Sequence, residues 1–130
     1  MQHGGANVLT DETPEGPEHQ WVGKTDKLPQ KIRIGFSCPK TISSMTMRNS
    51  IRFQNWNVKQ FVVKVREPNS ALWVSFINGS PSNPKGQNPV PLETFTGTAI
   101  TAMEVEFSCL NAFSNGEPNR RCALNYLTFA

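Results

Sequence analysis

Apolar residues in this chain recur at every second position, in short runs, and no window carries the three-to-four-residue period of a long helix. Ile32, Ile34 and Phe36 alternate with Lys31, Arg33 and Gly35. Phe61, Val63 and Val65 alternate with Gln60, Val62 and Lys64, and Met103, Val105 and Phe107 alternate with Ala102, Glu104 and Glu106. That spacing is the period of a strand with one face on a core. Leu72, Val74 and Phe76 against Trp73 and Ser75 predict another strand, and residues 123–129 a closing one. Residues 92–95 are a short candidate. In residues 42–47, Met45 and Met47 share a face while Ile42 is out of phase, which predicts a bulge.

Breakers separate these runs. Residues 1–30 read as mostly irregular, and 11–20 (DETPEGPEHQ) as an exposed loop ending at Trp21, a candidate anchor. Turns are predicted at residues 37–40 and 67–70, and loops at 78–91 and 110–121. Seven or about eight short strands at this spacing imply an all-β sandwich or barrel. The sheets must be largely antiparallel, because no crossover helix is available to join parallel neighbours.

The composition agrees. At 130 residues the chain is long enough for one domain with a real core, expected over residues 1–130 with 1–6 as a flexible lead-in. Ten prolines and nine glycines suit many turns. The net charge of +3 is mild, its basic residues are scattered, and no nucleic-acid partner is expected. No transmembrane run or signal peptide is read, which slightly favours an intracellular setting unless the chain is a piece of a secreted protein. Cys38, Cys109 and Cys122 are an odd number without zinc spacing. They read as buried free thiols, with one disulfide plus one free thiol as the alternative for an exported chain.

The richest chemistry lies between two strands. The segment 48–56 holds Arg48, Asn49, Arg52, Phe53, Asn55 and Trp56. An indole among amides and guanidiniums can stack on the apolar face of a sugar while its neighbours bond hydroxyls. The alternative is that Trp56 folds back to plug the sandwich end, and that Arg48 and Asn49 hold the loop through backbone carbonyls. Support for catalysis is slight: His3 and His19 are the only histidines, and no nucleophile elbow or phosphate loop is present. Glu104 and Glu106 share one strand face, where solvated charge is the simpler reading than an acid/base pair.

In order along the chain, these pieces resemble the discoidin, or coagulation factor 5/8 type C, family within the galactose-binding-like jelly rolls. Residues 7–11 (NVLTD), a loop and then Trp21 resemble the family's opening. Residues 30–36 (QKIRIGF) are similar to its first core strand. Residues 42–49, ending in Arg-Asn, followed by 58–65 (VKQFVVKV) are similar to its central pair, and residues 124–129 to its closing strand. Trp73 stands where the family often has a Trp. No cysteine lies near the N-terminus, so the end-to-end disulfide of many extracellular members is absent.

The resemblance implies a jelly-roll sandwich that binds ligands through loops at one end. It brings His19 and Trp21 beside the 48–56 loop, with Asn115, Glu117, Asn119 and Arg120 as a further wall. The leading expectation is a non-catalytic carbohydrate-binding module. The rivals are a protein-interaction subunit of an intracellular complex, and an anionic-lipid binder inserting Phe53 and Trp56. A homo-oligomer is compatible with each. No cofactor is expected; the lesser alternative is a structural calcium held by Asp11, Asp26 or carbonyls.

Overall fold

The computed structural model describes residues 28–50, 56–82, 90–113 and 122–130, together with the backbone of 21–22. Seven strands lie within them: β1 (Trp21–Val22), β2 (Gln30–Arg48), β3 (Val58–Arg66), β4 (Trp73–Gly79), β5 (Glu93–Ala112), β6 (Ala123–Leu124) and β7 (Tyr126–Phe129). β1 and β6 form a two-stranded ladder, and the other five strands pair in the order β4-β3-β5-β2-β7. Every strand pairing is antiparallel. The expected all-β antiparallel sandwich is the fold observed, and among the described residues no helix is long and apolar enough to cross a membrane.

Two long strands make both layers. The first half of β2 pairs with the second half of β5 through Gln30↔Cys109 to Gly35↔Glu104; its second half pairs with the start of β5 through Ser44↔Thr96 to Met47↔Glu93. Between these stretches the ladder slips twice. Residues 36–39 of β2 stand opposite Met103 alone, and Ser43 stands opposite residues 97–99 of β5. Extra residues in one strand bend it away from its partner, and strands that change sheets do so at such bulges. The ladder therefore turns a corner. One half carries β3 and β4, and the other carries β7.

The two halves close on a shared core. Phe61 of β3 meets Phe95 of the early part of β5 edge-on at 5.0 Å and stacks on Phe107 at 5.3 Å. Met45, Met47, Val63, Val65, Val105, Leu124 and Leu127 fill the space around them. Gly97 permits the layers to approach, since a Cβ there would lie 2.9 Å from Ile77 Cγ1 and 3.0 Å from the Phe76 carbonyl oxygen. Residues 67–70 form the predicted turn, with Ser70 N donating to Glu67 O at 3.2 Å. Asn69 there has φ of 60°, a conformation asparagine tolerates.

Several local expectations change. The turn predicted at 37–40 is the bulged corner inside β2, because the paired strand continues on both sides of it. The short strand at 92–95 is the start of the 20-residue β5, which also runs past the predicted loop start to Ala112. Ala102 is buried and Met103 only half-buried, since the corner shifts the face on which β5 presents its side chains. Leu72 precedes β4 and is 73% exposed, whereas Ile77 is buried, because the β3–β4 register slips between Val63 and Lys64. The bulge expected near Ile42 is present.

Candidate functional site

The last residues of β2, the first of β3, and the junction of β6 and β7 meet at one end of the sandwich. Asn49 follows β2 and is 1% exposed. Its Oδ1 accepts from Val58 N at 3.1 Å, and its Nδ2 donates to Val58 O and Ser82 O, both at 3.3 Å. One amide thus joins the roots of the 51–55 and 83–89 segments. Ser82 N is held in turn by the Glu93 carboxylate, at 3.0 and 3.2 Å from its two oxygens.

Asn57 organises the neighbouring root. Its Oδ1 accepts from Ser50 N at 2.8 Å, its carbonyl accepts from Phe113 N at 3.2 Å, and its backbone bridges in parallel to Ala123. Asn57 is fully buried and, among the described residues, its Nδ2 has no hydrogen-bond partner, one donor left at the junction of three chain segments. Arg48 donates from Nε to Asn125 Oδ1 at 2.6 Å, and its Cζ lies 5.8 Å from the centre of the Tyr126 ring. Asn125 N returns a bond to Arg48 O at 2.9 Å. Trp56, adjacent to Asn57, is half-buried.

A covalent tie completes this end. Cys109 and Cys122 form a disulfide with Cα atoms 6.5 Å apart, closing the 110–121 segment. The expectation of buried free thiols is thereby corrected for both; Cys38, on the bulged corner, is free but exposed rather than buried. The end of β5 and the start of β6 come together because Gln30 Oε1 accepts from Cys122 N at 2.8 Å while β1 pairs with β6 through Trp21↔Leu124.

Of the residues singled out in the sequence, Arg48, Asn49 and Trp56 are thus gathered at one end, and the Trp21 backbone joins the adjoining β6. His19, Arg52, Phe53, Asn55, Asn115, Glu117, Asn119 and Arg120 lie outside the described residues, as do Asp11 and Asp26. Among the described residues no group of three His, Cys, Asp or Glu side chains is placed to hold a metal ion. Sequence reasoning missed the framework of Asn57, Ser82, Glu93 and Asn125. Asn57 was visible as a polar neighbour of Trp56, but its role needs Ser50 and Phe113 in space.

Glu104 and Glu106 do not pair with each other. Glu104 Oε1 receives Arg66 Nε and Nη2, each at 2.6 Å. Glu106 is 5% exposed, with Arg33 Nε at 2.8 Å and Lys31 Nζ at 3.6 Å. Burial by itself raises the Glu106 carboxyl, but the Arg33 hydrogen bond and the charges of Lys31 and Arg33 outweigh it and hold the group below its ordinary value. A carboxylate fixed in this way is suited to pairing rather than proton transfer.

No family model matches the chain, and no curated protein matches it. Solved structures do. An F5/8 type C domain from Bacteroides fragilis superposes with a TM-score of 0.75 at 15% identity, covering 98% of this chain and 80% of that one. CpGH89CBM32-5 from Clostridium perfringens, solved in complex with GalNAc-β-1,3-galactose, gives 0.73 at 16% identity, covering 95% and 81%. The family 32 carbohydrate-binding module of C. perfringens NanJ, in complex with galactose, gives 0.65 at 16% identity, covering 95% and 78%. The fold is therefore that of the F5/8 type C, or discoidin-like, β-sandwich domains, as the order of sequence features implied.

Proposed function

We propose that this chain is a non-catalytic carbohydrate-binding module that takes its ligand at the loop end of the sandwich. The observation that carries the reading is the half-buried Trp56 on a root braced by Asn49 and Asn57. A braced root holds an aromatic plane in place at little entropic cost, which is what stacking on a pyranose requires. Arg48 stands at the same end, and Arg52, Phe53, Asn55, His19, Asn115 and Arg120 are proposed as its loop-borne companions. Solved neighbours of the same fold carry GalNAc-β-1,3-galactose and galactose, which supports a neutral sugar ligand.

Single-site affinity is expected to be weak, about millimolar to micromolar, with multivalency supplying useful avidity. The disulfide supports an oxidising location and removes one of the grounds for an intracellular complex. A glycan array with the multimerised domain tests the reading. Binding to a coherent sugar set that Trp56→Ala loses is the expected result. A blank array from folded protein, or full binding by Trp56→Ala, overturns it and turns attention to a protein partner.

A further inference from the structure

Away from the loop end, the outer face of β2, β5, β3 and β4 carries an ordered lattice of charge. Register sets Arg33, Glu106, Lys64 and Ser75 in one cross-strand row, and Gly35, Glu104, Arg66 and Trp73 in the next. Glu106 alternates with core residues Val105 and Phe107, so it sits on the solvent side of β5; it is buried because Arg33 and Lys31 close over it. These two cations keep side-chain exposures of 59% and 49%.

The two arginines are used differently. Arg66 is consumed, with Nε and Nη2 on Glu104 and Nη1 donating to Ser70 O at 3.0 Å. Arg33 commits Nε to Glu106 and lays its Cζ 5.2 Å from the centre of the Trp73 ring. Among the described residues no hydrogen bond uses its terminal nitrogens. The guanidinium is therefore held on two sides with its remaining donors toward solvent, a pre-organised fork for a planar anion. Beside it, a Cβ on Gly35 would meet nothing within 4 Å, so the face is open there.

Four cations, Lys31, Arg33, Lys64 and Arg66, stand against two carboxylates, so this face carries most of the chain's net charge of +3. A protein interface needs a core depleted of charge. The exposed large hydrophobic residues among those described, Leu72 and Leu92, lie in neither row. A polar, sugar-lined polyanion meets the face on better terms.

We propose that this face binds a polyuronate chain, with one carboxylate taken by the Arg33 fork, Lys31 and Lys64 attracting its neighbours, and a sugar ring over Gly35 beside Trp73. The site is separate from the loop end, and its success or failure is independent of the neutral-sugar reading.

Native affinity electrophoresis of the full chain in gels containing polygalacturonate tests it, with neutral galactan and dextran sulfate as comparators. Polygalacturonate retards the protein, and added salt weakens the retardation. Arg33→Lys keeps the charge and the Glu106 pairing but loses the fork, and binds roughly tenfold more weakly. Lys64→Ser, at an exposed position without an ion pair among the described residues, weakens binding about threefold. No retardation of the parent, parental binding by both variants, or retardation by dextran sulfate alone each overturns the proposal. If Arg33→Lys melts early, Lys64→Ser decides.

Discussion

The Asn49 side chain brackets Val58 from both sides, its Oδ1 accepting from Val58 N and its Nδ2 donating to Val58 O. The amide stands in for a strand partner where β2 has ended and β3 has barely begun. Both backbone polar groups of the buried Val58 are thereby satisfied on the edge away from its β5 partner Ala112, and the chain is pinned where β3 begins.

Asn49→Ala leaves the Val58 N–H and C=O without this partner in a buried setting. Each lost bond of this kind costs about 1–3 kcal/mol, so the variant unfolds at clearly lower urea concentration than the parent. Asn49→Asp keeps the acceptor but loses the donor and buries a charge, and is expected to be at least as destabilised. Urea denaturation followed by tryptophan fluorescence measures both.

The Cys109–Cys122 bridge closes a segment with a sequence separation of 13. By the chain-entropy account a loop of this size contributes about 3 kcal/mol. Cys109→Ser with Cys122→Ser lowers the unfolding midpoint accordingly, and a reducing agent does the same to the parent. Before unfolding, a thiol reagent titrates Cys38 alone of the three cysteines; reaction of all three without reductant would contradict the bridge.

Glu106 gives stability a defined pH dependence. Its folded carboxyl lies below the ordinary value of 4.5, so the unfolded chain binds the proton more readily. The contribution is fully present above that value and is lost as pH falls through the lower folded one. Thermal melts across the acid range should show the parent losing stability faster than Glu106→Gln, with the two curves converging at the acid end. Parallel curves would mean that the Arg33 and Lys31 contacts do not outweigh burial.

Gly97 is required by packing between the layers. The alanine Cβ at 3.0 Å from the Phe76 carbonyl oxygen presses on backbone, which cannot swing aside as a side-chain tip can. Gly97→Ala is expected to destabilise by about 1–3 kcal/mol in spite of the entropy that alanine removes from the unfolded chain. Differential scanning calorimetry would register a lower Tm.

The strands were legible wherever alternation was clean. Ile32, Phe61, Val63, Val65, Val105 and Phe107 are buried as their spacing implied. The reading failed where the ladder slips. Pro39 and its neighbours look like a turn, yet they are a bulge, and nothing local distinguishes four residues that leave a strand from four residues looped out of one. The loop end was half legible. Trp56 and Arg48 announced themselves by residue type, whereas Asn57, Ser82 and Asn125 are ordinary polar residues until their partners from elsewhere in the chain are in place.

By itself, then, the period-two pattern determined that this chain is all-β, a sandwich or barrel, because alternation is a local consequence of backbone geometry, and the lack of a crossover helix made its sheets antiparallel. The ordered motifs pointed to its discoidin-like form. Tertiary structure alone decided which cysteines pair, how Glu106 becomes a buried ion-pair partner on the solvent side of a sheet, and that Asn49 and Asn57 brace the loop roots. These depend on contacts between residues as far apart as Gln30 and Cys122. Such contacts arise from the summed packing of the whole sandwich, which no local stretch of sequence encodes.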